Sequence, residues 1–130
     1  MKVAISTETR PEAKELAHLF QQTTWASDRS IEGIEALIEN LDVFVTVRSD
    51  GKLIGFGRAL SDGAFRALVD DVVVDEPYRG KGIGGMIMNS LKEELESVEM
   101  VFLNTRDHLR GFYESFGFEE FSGCTMRSNR

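Results

Sequence analysis

Disulfide bonding is the first thing this sequence excludes. Its single cysteine, Cys124, has no intramolecular partner, which fits a reducing compartment. No further Cys or His clusters near it, so no metal site is expected. No apolar run approaches the roughly 18 residues that a membrane span needs. Met1–Thr7, with one Lys and a brief apolar stretch, lacks the form of a secretory signal. A cytoplasmic protein without a membrane partner is therefore expected. Positive charge is also scarce: 15 basic residues against 22 acidic ones leave a net charge of −7. That balance disfavours nonspecific binding to nucleic acid and leaves room for a cationic substrate. Internal repeats and low-complexity segments are absent as well.

What remains is an ordinary globular composition, 42% hydrophobic and 28% charged. The length of 130 residues corresponds to one domain, 1–130. Val3–Ser6 alternates weakly and reads as a first strand. Thr9-x-x-Glu12 has the form of a capping box with Pro11 in the first turn, which predicts a helix from about Arg10 to Gln22 that buries Leu16, Leu19 and Phe20. Trp25 follows in a polar connector, where a lone aromatic reads as packing in preference to pocket lining. Ile31, Ile34, Leu37, Ile38 and Leu41 recur at helical spacing and predict a second helix from about Ser30 to Asn40.

The pattern then changes period. Val43–Arg48 and Leu53–Leu60 flank an Asp-Gly turn, a strong hairpin signal. Gly55 and Gly57 in the second of these strands mark a bulge or a close backbone approach. Ala64–Val74 is the next strand, so the strands form an antiparallel meander. A helix over about Gly82–Ser97 leads to a strand at Met100–Asn104, which the crossover connection sets parallel to Val69–Val74. A short helix around His108–Ser115 ends at Gly117, and 118–127 reads as terminal strands or an extended tail. The fold class is mixed α/β.

One stretch carries most of the chemical information. The β-branched run Val72, Val73, Val74 ends in a turn, and Arg79-Gly-Lys-Gly-Ile-Gly84 then runs directly into the apolar-periodic helix. Gly80, Gly82 and Gly84 permit close approach of main-chain N–H groups to a ligand. The unpaired N–H groups and positive dipole end of the helix favour a phosphate or pyrophosphate. Arg79 and Lys81 add positive charge. Gly80, Gly82 and Gly85 have the spacing of the dinucleotide fingerprint G-x-G-x-x-G, but no first strand of a βαβ unit opens the chain, and no Ser or Thr follows Lys81 as a phosphate-binding loop of the G-x-x-x-x-G-K-[ST] type requires. A glycine-rich turn with no ligand is the alternative.

Arg79-Gly-Lys-Gly-Ile-Gly84 matches the [Q/R]-x-x-G-x-[G/A] signature, and Phe112-Tyr-Glu-Ser-Phe-Gly-Phe118 resembles the F-Y-x-x-x-G-F motif, of the GNAT superfamily of N-acetyltransferases. With Asp70–Val74 they are similar to its glucosamine-phosphate and arylalkylamine branches. The resemblance is strong over roughly residues 69 to 121. It implies a mainly antiparallel sheet with a splayed parallel strand pair, acetyl-CoA as co-substrate, and transfer of its acetyl group to a primary amine of a small molecule without a covalent enzyme intermediate. The pantetheine arm would pair with Val72–Val74 and the diphosphate would lie on Arg79–Gly84, Lys81 and Ile83 included. A backbone N–H of Val72 or Val73 would polarise the thioester carbonyl.

The resemblance further implies that Tyr113 protonates the departing thiolate. An alkylammonium of pKa near ~10.4 must lose a proton before it attacks. Asp70 and Asp71 together are the first candidates to take it, with His108 as the alternative. Because side chains alternate along a strand, only one of the two carboxylates is expected on the acceptor side. Many members carry Asn seven residues before the late Tyr. Here that position is Arg106, which either approaches a cofactor phosphate or points into solvent, and Asn104 is a nearby polar contact. The family often forms homodimers through terminal strands, for which the apolar segment Phe116–Phe121 is the local hint. Protein lysine or N-terminal acetylation, and CoA binding without turnover, are the alternative functions.

Overall fold

The computed structural model describes residues 2–129. In chain order the elements are β1 (Ala4–Ser6), α1 (Ala13–Phe20), α2 (Ile31–Glu39), β2 (Val43–Ser49), β3 (Lys52–Ser61), β4 (Arg66–Val74), α3 (Ile83–Glu94), β5 (Met100–Leu103) and α4 (Arg110–Glu114). The strands form one sheet in the order β1-β2-β3-β4-β5, antiparallel except for the β4–β5 pair, which is parallel as the crossover predicts. Of the two readings of the C-terminal segment, terminal strands or an extended tail, the strands do not form, and 118–129 continues without regular structure.

Two cores cover the two faces of the sheet. Ile83, Ile87, Met88 and Leu91 of α3 pack on Val45, Val47, Ile54 and Val69. On the opposite face Leu16, Leu19 and Phe20 of α1 and Ile34 of α2 pack on Phe44, Phe56 and Val73. The three aliphatic or aromatic residues expected to be buried on the first helix are its buried residues. The start of that helix differs from expectation. Its N-cap is Glu12, whose N–H donates to Glu15 Oε1 (3.0 Å), while the N–H of Thr9 turns back to Ser6 Oγ (2.9 Å). Pro11 explains the shift, because a residue preceding proline is driven out of the helical region and Arg10 cannot begin the helix. Ser30 caps α2 through Gly33 N–H (3.0 Å).

The irregularity that matters most lies between β3 and β4. The register runs from Arg58↔Asp70 directly to Phe56↔Val73, so Asp71 and Val72 together oppose Gly57. Asp71 has φ +54°, a left-handed torsion rare for a residue with a side chain. The bulge reverses which face each later residue serves. Val69 and Val73 are four residues apart and would share a face in a regular strand, yet Val69 packs under α3 and Val73 under α1 and α2. Gly57 fits the same place for a second reason: a Cβ there would lie 2.6 Å from Ile87 Cγ2, so only glycine lets α3 approach this closely.

Candidate active site

The β4–β5 ladder ends early. Its last pair is Val69↔Leu103, whereas β4 continues to Val74. Five residues of β4 therefore have no neighbour on that side. Asp75 N–H donates to Ile54 O (2.8 Å) across the β3 ladder, and alternation in an antiparallel pair then turns the amide of Val73 toward β3 and that of Val74 toward the open edge. The amide of Asp71 is already taken by Asp70 Oδ1 (2.9 Å).

Two cavities occupy this opening. One, of about 390 Å³, is lined by Val72, Val74, Tyr78, Arg79, the loop glycines and Phe112. The other, of about 310 Å³, is lined by Trp25, Asp70, Asp71, Asn104 and Arg106 among others. Val72, Leu109 and Tyr113 belong to both, so the cavities meet at the phenol.

At the first cavity the loop leaves open space around Gly80 and Gly82. Gly80 (φ +76°) and Gly82 (φ +84°) are left-handed, and a Cβ on either would meet nothing within 4 Å, so torsion and not crowding requires them. Gly84 is needed for packing instead, since its Cβ would stand 3.2 Å from Phe112 Cζ. The two sequence motifs thus touch at Gly84 and Phe112. Helix α3 begins at Gly82 with no side-chain cap and no acidic residue in its first turn. Its first amides are left for a ligand, with the positive end of the helix behind them. Arg79 Nε donates to Val74 O (3.0 Å). Lys81 lines neither cavity, nor does Val73, which the bulge turns into the opposite core.

At the second cavity the two neighbouring carboxylates both reach Arg58. Asp71 Oδ2 accepts from Arg58 Nε (2.8 Å) and from Arg29 Nη1 (2.9 Å), and Asp70 Oδ2 stands 3.8 Å from Arg58 Nη2. The expectation that only one would face this side fails because the bulge breaks the two-residue period at Asp71. Asp71 is 3% exposed. Burial alone would raise its pKa, but hydrogen bonds from Arg29 and Arg58, with the charges of both, outweigh burial and hold it below the usual carboxylate range. The Asp70 side chain remains 42% exposed. Trp25 lines the cavity, 53% exposed, with Nε1 donating to Asp71 Oδ1 (3.2 Å), a role that its reading as a packed aromatic missed. No local pattern marks it; only the approach of the α1–α2 connection to the bulge does.

Tyr113 sits between Phe112 and Phe118, with ring centroids 5.0 and 6.3 Å away. Burial, and secondarily the charge of Asp70, push its phenol pKa above the ordinary value. Asn104 and Arg106, the first read as a polar contact to the cofactor and the second as facing either a cofactor phosphate or solvent, are exposed residues that line the second cavity and not the one at the glycine loop. Asn104 Oδ1 accepts from Thr125 Oγ1 (3.0 Å). His108 lies in an exposed turn and lines neither cavity. Among the described residues no group of His, Cys, Asp and Glu could hold a metal ion, and no helix is long and apolar enough to cross a membrane.

Comparison with known proteins agrees with this geometry. Residues 7–118 match the acetyltransferase (GNAT) family. An uncharacterized N-acetyltransferase of Pyropia yezoensis is 27% identical over 110 residues, covering 80% of this chain and 63% of its own length. The chloroplastic GCN5-related N-acetyltransferase 1 of Arabidopsis thaliana is 31% identical over 94 residues, covering 69% of this chain and 48% of its own. The chain thus spans between about half and two thirds of these relatives. A protein of unknown function from meticillin-resistant Staphylococcus aureus shares the fold with a TM-score of 0.88 at 22% identity, over 99% of this chain and 100% of that one.

Proposed function

The chain belongs to the GNAT acetyltransferase family, and from that premise we propose that it transfers the acetyl group of acetyl-CoA to a primary amine of a small molecule. The observation that carries this reading is the opening beyond Val69↔Leu103, which joins a glycine-loop cavity to a carboxylate-bearing one with Tyr113 at the junction. Acetyl-CoA supplies an activated thioester. The residues fit it: the uncapped start of α3 and the left-handed Gly80 and Gly82 suit a diphosphate, and the free edge at Val74 suits an amide-bearing arm that pairs as a strand would.

In this reading each protein group has one task. Val72, at the bulge, is the remaining amide for polarising the thioester carbonyl, because that of Val73 faces β3 and that of Asp71 is taken by Asp70. Asp70 accepts the proton of the attacking amine, directly or through water. Asp71 is committed to Arg29 and Arg58 and acts as a positioning residue. Tyr113 gives its phenolic proton to the departing sulfur as the carbon–sulfur bond breaks and the carbon–nitrogen bond forms, and solvent restores that proton. A phenol whose pKa is raised stays protonated at neutral pH and is suited to this donation.

Thiol release from acetyl-CoA, followed with a panel of primary amines beside calorimetry with CoA, tests the proposal. Amine-dependent release supports it. Binding of CoA with no release for any amine would leave a cofactor-binding module, and no binding at all would remove the premise about the loop.

A further inference from the structure

Arg106 stands at the acceptor end of the opening. It shares a cavity with Trp25, Asp70 and Asp71 and is absent from the one at the glycine loop. The other charges there balance. Asp71 is bonded by Arg29 (2.9 Å) and Arg58 (2.8 Å), and Arg58 also stands 3.8 Å from Asp70, so two carboxylates face two guanidinium groups. Arg106 is the charge left over. None of the ion pairs among the described residues uses it, and its backbone carbonyl, not its side chain, accepts from Thr105 Oγ1 (3.3 Å) and Leu109 N–H (3.0 Å). Arg106 is exposed to solvent as well as lining this cavity, and in a chain of net charge −7 a cation without an ion-pair partner at this place is not a consequence of bulk composition.

We infer that Arg106 is a specificity-determining residue that takes an acidic group of the acceptor, so that the preferred acceptors are primary amines bearing a carboxylate or a phosphate. This rests on the acetyl-transfer reading and names the substrate class for the same site. A guanidinium offers parallel N–H donors that match either oxyanion. Trp25, Val69, Val72 and Leu103 give the same cavity an apolar wall for the body of such a molecule, and about 310 Å³ is room for a small one.

Matched pairs test this: L-phenylalanine against 2-phenylethylamine for a carboxylate, and O-phosphoethanolamine against ethanolamine for a phosphate, each assayed by thiol release with the native chain and with Arg106→Gln. The native chain is expected to prefer the acidic member of one pair, which identifies the oxyanion. Arg106→Gln is expected to lower kcat/KM for that member by roughly tenfold or more, leave its neutral partner within about twofold, and leave the dissociation constant for CoA unchanged. Arg106→Lys should recover part of the loss. The inference is overturned if neutral amines are used as well as acidic ones, if the substitution slows both members equally, or if it weakens CoA binding, which would return Arg106 to the cofactor. Absence of thiol release with every amine is a separate failure, that of the acetyl-transfer reading itself.

Discussion

Trp25 Nε1 and Asp71 Oδ1 lie 3.2 Å apart, joining the connection between α1 and α2 to the bulge of β4. Forty-six residues separate them in the chain, and the carboxylate that joins them is also held by Arg29 and Arg58. The α1–α2 connection that lines the carboxylate-bearing cavity and strand β4 are therefore one hydrogen-bonded unit, with Asp71 at its centre.

Asp71→Asn tests that unit without disturbing its torsion, because Asn also tolerates left-handed backbone. It leaves Arg29 and Arg58 without their carboxylate, and a loss of about 3 kcal/mol is expected in urea denaturation, at the low end for a broken buried pair because Arg29 is partly exposed. The folded pKa of Asp71 lies below its unfolded value of ~3.9, so its stabilisation is complete above that pH and lost as pH falls through the folded value. Native stability should decline below about pH 4, and the decline should be shallower in the variant.

Tyr113→Phe should lower kcat for acetyl transfer by about 10²-fold, the lower end for general acid catalysis, since a thiolate of pKa around ~8.5 leaves without much help. CoA affinity by calorimetry should be unchanged. With the phenol pKa raised by burial and by Asp70, the native rate should show no fall on the alkaline side up to about pH 9 from loss of this proton.

Gly82→Ala should weaken CoA binding more than it weakens the fold. The new Cβ meets open space, so the cost is the left-handed torsion of +84°, about 1–2 kcal/mol, or a backbone that relaxes and swings the first amides of α3 off the ligand. Calorimetry with CoA beside thermal unfolding separates the two.

Gly57→Ala places a methyl 2.6 Å from Ile87 Cγ2 and should cost about 1–3 kcal/mol through overpacking. Combined with Ile87→Ala, which removes the clashing methyl, it should cost less than the sum of the two single changes. Additive losses in the denaturation cycle would mean that the contact is not what requires glycine here.

Much of the fold was legible because its signals are local. Alternating strands around Asp50-Gly51, the start of α2 near Ser30, the apolar stripe of α3 and the parallel β5 after a crossover all follow from spacing and turn chemistry over short stretches. The glycine loop was legible for the same reason. Gly55 and Gly57 even announced a bulge or close approach, and both are present.

Where a bulge falls, and what it does to the residues after it, is not local. Counting by twos assigns Asp70 and Asp71 to opposite sides, and the resemblance gives Val72–Val74 together to the cofactor arm; with Asp71 in a left-handed torsion opposite Gly57, both carboxylates reach Arg58 and Val73 packs into the opposite core. Trp25 was misjudged for a related reason, since a side chain's neighbours across tens of residues carry no mark in the flanking sequence. By itself the sequence determined the elements, the glycine turn that leads into α3 and the aromatic run around Tyr113, because each depends on residues within a few positions of one another. Only the tertiary structure decided that the β4–β5 ladder stops at Val69, that both carboxylates meet one arginine, and that Arg106 lines the same cavity as Trp25 and those carboxylates, because those facts depend on how strands pair and where helix connections cross them.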